Sequence, residues 1–129
     1  MLTEEQKESL LRTGTSAFES ISEMVEALEE AEETEDDDLI EAARSSIEED
    51  PLLMEVRSGW CTSLEGASPE EFRLTLGMGG PAIQIVGEVR GGEPSSATLQ
   101  VQDWLTPWVD HPCDEQILLK YASCFYFGG

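Results

Sequence analysis

Apolar residues recur with two different periods along this chain, and the change falls near Pro51. Before Pro51 the period is helical. Leu2, Leu10 and Leu11 predict a short first helix, opened by a capping box with Thr3 as N-cap and Gln6 as N3. It is expected to end near Arg12, with Gly14 as its left-handed C-terminal cap. Ser16 and Glu19 form a second capping box and predict the start of a long helix. On it Phe18, Ile21, Val25 and Leu28 recur at helical spacing, and Met24 and Ala31 widen the stripe. The stripe then stops, so fraying is expected within residues 32–38. Asp36 or Asp37 is placed to cap a third helix, with Leu39, Ile40, Ala43 and Ile47 on one side and Pro51 at its end.

After Pro51 the period is two. Leu52–Trp60 alternates Met54, Val56 and Ser58 against Glu55 and Arg57. Phe72–Met78 sets Phe72, Leu74, Leu76 and Met78 on one side. Ala82–Arg90 sets Ile83, Ile85 and Val89 inward, and Ala97–Trp104 does the same with Leu99 and Val101. Residues 68–71 read as a turn or one helical turn with Pro69 at its first position. Gly77, Gly79, Gly80 and Pro81 make a tight connection, and residues 91–94 a hairpin loop. Residues 105–113 hold two prolines and are expected to be irregular. Asp114 is placed to cap a last helix, Glu115–Phe125.

The predicted fold class is therefore α+β. N-terminal helices and a C-terminal helix pack on one face of a four-stranded antiparallel meander. At 129 residues the chain is expected to be one domain over residues 1–129. Within it, residues 1–50 form an acidic helical part, 52–104 the sheet, and 105–129 an irregular segment and the last helix.

Charge sharpens this picture. The net charge is −21. Eighteen acidic and three basic residues lie in the first fifty positions, a balance of −15, and the rest of the chain carries −6. From Thr13 to Ala43 there are twelve Asp or Glu and no Lys or Arg. Opposite the apolar stripe, Glu19, Glu23, Glu26, Glu30 and Glu33 step by four, three, four and three residues. At about 100° per residue they fall within roughly 40° of one line. At about 1.5 Å per residue they span roughly 21 Å. Asp36, Asp37 and Asp38 follow. Like charges at i,i+4 cost a few tenths of a kcal/mol each on an exposed helix, and here no Lys is interleaved to relieve them.

Such a surface excludes direct binding to nucleic acid, whose phosphates need Lys and Arg, and docking on anionic membranes. It favours a basic partner met by steered, salt-sensitive encounter. The competing use of the acid is solubility alone. No apolar run approaches 18 residues, and the N-terminus lacks the basic-then-apolar order of a signal peptide. Cys61, Cys113 and Cys124 are odd in number and read as reduced thiols in a cytoplasmic protein.

No catalytic residues, cofactor or metal site are predicted. The GMGGP turn lacks the Lys and the helix of a phosphate loop. His111 and Cys113 are two residues apart on a predicted loop, poor geometry for a Cys–His enzyme, although a position before a helix start predicts a lowered Cys113 pKa. Residues 35–38 lack the spacing of a calcium loop. Trp104 and Trp108, in the run QDWLTPW, are secondary interaction candidates, set against the simpler expectation that both lock the last helix onto the sheet.

Three runs carry a resemblance: GGPAIQIVGE at Gly79–Glu88, QDWLTPW at Gln102–Trp108, and LLKYASCFYF at Leu118–Phe127. Together they resemble a group of small acidic proteins of bacteriophages, prophages and other mobile elements, over about the last 60 residues. The resemblance implies a setting, a bacterial host cytoplasm, and brings no catalytic residues with it. Short acidic phage proteins include DNA mimics that inhibit host defence, such as anti-restriction and anti-CRISPR proteins, and the likeness to these is one of type. The expected function is thus a non-enzymatic inhibitor of a basic nucleic-acid-binding host protein, a CRISPR effector or restriction subunit, held through Glu19, Glu23, Glu26, Glu30, Glu33, Asp36, Asp37 and Asp38. The alternative is a structural or regulatory interaction module using the Trp104/Trp108 segment or the polar sheet face.

Overall fold

The computed structural model of the chain describes residues 2–58, 69–79, 81–103 and 106–127. Its N-terminal half is ruled by one helix, α1, Glu4–Thr34. The Thr3–Gln6 capping box opens it as expected, with Thr3 Oγ1 accepting from Gln6 N at 3.1 Å and Gln6 Oε1 accepting from Thr3 N at 2.8 Å. The expected break at Gly14 does not occur. Leu10, Gly14, Ile21, Val25, Leu28 and Ala31 form one buried stripe through the supposed junction. A Cβ at Gly14 would collide with the imidazole of His111. The glycine is there to let the helix approach that ring, so Ser16 and Glu19 sit mid-helix and cap nothing.

The left-handed residue that closes α1 is Glu35, at φ 58°. Thr34 Oγ1 donates to Ala31 O at 2.7 Å and accepts from Asp36 N at 3.3 Å. Asp36 then caps α2, Asp37–Glu49, its Oδ1 accepting from Asp38 N at 3.0 Å and Leu39 N at 3.4 Å. Instead of fraying, residues 32–38 make a two-residue turn between two helices. Ile47 is the fully buried anchor of α2, whereas Leu39 lies exposed.

Six strands follow: β1 Leu53–Ser58, β2 Pro69–Gly77, β3 Ala82–Arg90, β4 Glu93–Pro94, β5 Thr98–Gln102 and β6 Val109–His111. Their order is β1-β2-β3-β5-β6, all neighbours antiparallel, with β4 paired to β3. The four-strand expectation missed β4 and β6. Residues 69–71 are the start of β2 and not a turn; Pro69 sits at the first position of its strand, where a missing N–H is tolerated. Gly91 and Gly92, at φ 60° and 81°, form the tight turn that folds Glu93 back on Arg90. A register shift between Thr75 and Gly77 interrupts the alternation of β2, which leaves Leu76 half-buried and Met78 exposed.

One face of the sheet and one side of all three helices share a core. Ile21, Val25 and Leu28 of α1 and Ile47 of α2 meet Phe72, Leu74, Ile85, Val89 and Leu99 of the sheet. The last helix, α3, spans Glu115–Ala122 and is capped by Asp114, whose side chain accepts from Gln116 N at 2.9 Å. It ends three residues earlier than expected, and residues 123–127 fold back over the sheet. Phe127 is buried and stacks on Phe72 with ring centroids 4.7 Å apart. Tyr121, fully buried, donates from its hydroxyl to Asp50 Oδ2 at 2.6 Å and so ties α3 to the end of α2. Burial and that hydrogen bond push its pKa far above the usual phenol value. On the other face, Gln84, Gln100 and Asp110 form a hydrogen-bonded ladder across β3, β5 and β6.

Candidate functional site

The continuity of α1 is what gives its acidic side a fixed shape. The buried stripe and the row Glu19, Glu23, Glu26, Glu30 and Glu33 occupy opposite sides of one continuous helix, and all five glutamates are exposed. The described residues include no Lys or Arg in salt-bridge contact with any of them. Asp36, Asp37 and Asp38 are exposed as well and continue the acid across the turn onto α2, where Glu41 extends it. All eight sequence candidates are therefore exposed, five on α1 and three at the turn into α2 and in its first turn.

Three of these groups have local work. Asp36 caps α2, and Asp37 and Asp38 lie in its first turn, where the positive end of the helix dipole favours them. The row on α1 has no such excuse. The last turn of α1 carries no basic residue, so Glu33 faces the negative end of its own helix. Glu32, beside the row, is relieved: Lys120 of α3 reaches it with Nζ 2.8 Å from Oε1. That pair joins residues 88 positions apart, and nothing in the helical periodicity announces it. The result is a corner rich in acid, with Glu30, Glu33, Glu35 and three aspartates, offset locally by the N-terminus of α2 and by Lys120.

The remaining candidates fare differently. Trp108 precedes β6 and is 38% exposed, so part of its ring is open to solvent. Trp104 and Cys61 lie outside the described residues. Cys113 departs from expectation: burial and the neighbouring Asp114 carboxylate raise its pKa instead of lowering it. Asp114 has taken the helix N-terminus that would have stabilised a thiolate. His111 packs under Gly14, and desolvation lowers its pKa. Among the described residues no group of three or more His, Cys, Asp or Glu is arranged to hold a metal ion. No helix among them is long and apolar enough to cross a membrane.

No family model, curated protein or solved structure matches the chain. The functional reading therefore rests on the surface itself.

Proposed function

We propose that the protein is a non-enzymatic, phage-encoded inhibitor that imitates DNA through the acidic side of α1. Its target is a basic nucleic-acid-binding protein of the bacterial host, of the CRISPR-effector or restriction-subunit kind. The observation that supports this most is the row of five exposed glutamates, which no Lys or Arg among the described residues contacts, on a helix whose C-terminal dipole opposes the last of them. A face meant only for solvation loses nothing by interleaving Lys, and stability would gain by it.

The charge arithmetic is compatible with mimicry. Duplex DNA carries about one charge per 1.7 Å of axis, and its binding sites are lined with Lys and Arg at matching reach. The row offers about one carboxylate per 5 Å along its line. Glu29, beside the row, and the three aspartates at the corner raise that density. The charge is sparser than on DNA but is held by a packed helix, so less freedom is lost on binding.

The test is capture of host-lysate proteins by the tagged chain and by the triple variant Glu23→Lys, Glu26→Lys, Glu30→Lys. Reversing three charges removes repulsion within α1, so the variant should be at least as stable as the parent, and any loss of binding cannot be laid to unfolding. The expected result is a Lys/Arg-rich partner that the parent retains at low salt, releases at high salt, and that the variant does not retain. A partner held equally by both proteins sinks the proposal. If that partner is lost on Trp108→Ala instead, the exposed Trp108 makes the protein an interaction module, and the acid a solubility feature.

A further inference from the structure

Strand β1 is the end of the sheet: among the described residues it pairs only with β2. Its free edge carries exposed apolar groups on the helix side of the sheet. Leu52 is 63%, Met54 41% and Val56 46% exposed, beside an open groove of about 890 Å³ that Leu52, Met54 and Tyr126 help to line. An exposed edge strand is ordinarily guarded against a second strand by charged side chains, Pro, a bulge or cover. Here the register against β2 shifts only after Arg57, and the charges of the edge come in both signs. On its polar side it presents one acid and one base two positions apart, Glu55 and Arg57. Each is already matched across β1–β2: Arg73 donates to Glu55 at 2.7 and 2.9 Å, and Arg57 donates to Glu71. In a chain with only seven Lys and Arg for 28 Asp and Glu, two of the seven make this patch locally neutral.

We infer that β1 pairs antiparallel with β1 of a second copy, to give a two-fold dimer with one continuous sheet. Charge pairing selects the register among those centred on Glu55, Val56 and Arg57. Residues directly opposite in an antiparallel pair point to the same face, so keeping Met54 and Val56 on the apolar side restricts a two-fold to passing through a residue pair. Centred on Glu55, it sets carboxylate against carboxylate; centred on Arg57, it sets guanidinium against guanidinium. Centred on Val56, it places Glu55 opposite Arg57 of the second copy, and Arg57 opposite its Glu55. Together with the pairs already present, each polar row then reads Arg73, Glu55, Arg57 of the second copy, Glu71 of the second copy. The charges alternate across four strands, and Val56 meets its own counterpart on the apolar side. The acid excess of the chain lies chiefly in its first fifty residues; of these, Arg44 and Glu48 of α2, one base and one acid, line the groove beside this edge together with Glu93, and at physiological ionic strength repulsion fades over about 8 Å. This inference is independent of the mimicry reading and stands if that reading fails.

The test is the mass of the purified full chain in solution, 14.2 kDa for one copy, measured by light scattering or sedimentation at physiological salt. The parent should reach twice that mass as concentration rises. Glu55→Arg alone sets Arg against Arg, and Arg57→Glu alone sets Glu against Glu, so each variant should be monomeric where the parent is dimeric. Mixed in equal amounts, the two variants should recover a dimer containing one of each, which also shows that both are folded. Independently, Val56→Cys should form a covalent dimer on mild oxidation that the parent does not, because the Cα atoms of directly opposed strand residues lie about 4.5–5.5 Å apart, within disulfide reach. A parent that stays monomeric up to about 1 mM overturns the inference. So do single variants that dimerise like the parent, or variants that the mixture does not rescue.

Discussion

At the residue scale, Gly14 shows how one amino acid serves two purposes that look alike in a sequence. Between Leu11 and Ser16 it has the setting of a helix cap. Its use here is spatial: the missing Cβ admits the His111 ring of β6 against α1. The two readings predict opposite effects of Gly14→Ala. In an exposed helix interior the change gains about 1 kcal/mol of helix propensity. Against His111 it overpacks the contact, and a net loss of about 1–3 kcal/mol is expected in denaturant unfolding. The double variant Gly14→Ala, His111→Ala should recover most of that loss, because the new methyl then has room. Cys113 carries the same lesson. Its place before α3 suggested activation, but the residue that makes the helix start, Asp114, is also the charge that raises the thiol pKa.

At the scale of elements, the strongly periodic segments were legible and the junctions were not. The α1 stripe from Ile21 to Leu28, the Asp36 and Asp114 caps, and the inward set Ile85, Val89, Leu99 and Val101 stand as the pattern implies. The three residues of β6, lying between Pro107 and Pro112, are too few to show a period, so the strand is visible only through its pairing with β5. The register shift in β2 likewise has no signature in the alternation Phe72, Leu74, Leu76, Met78. The acidic row was fully legible, because a helix face depends only on spacing. What spacing could not show is which carboxylates would be neutralised. Lys120 comes from α3 to Glu32 and leaves Glu33 alone at the helix end. Glu33→Lys should therefore raise stability by about 0.3–1 kcal/mol, read as a higher midpoint in thermal unfolding at low salt and a smaller gain at high salt.

At the scale of the whole molecule, the two surfaces described here answer different physical demands. The acidic side of α1 presents uncompensated charge on a rigid element that the core of Ile21, Val25, Leu28 and Ile47 holds against the sheet. The β1 edge presents compensated charge and exposed apolar groups, a pattern suited to its own copy. A chain carrying −21 has no electrostatic need for the first, and the second holds two of its five arginines, Arg57 and Arg73. The central claim concerns the first surface. It is tested most directly by titrating the protein into a complex of its captured host partner with duplex DNA and measuring the DNA released. Mimicry predicts that the DNA is displaced competitively, that displacement weakens steeply as salt rises, and that the Glu23→Lys, Glu26→Lys, Glu30→Lys variant displaces none. A partner that holds the protein and DNA together, with little dependence on salt, would contradict the account.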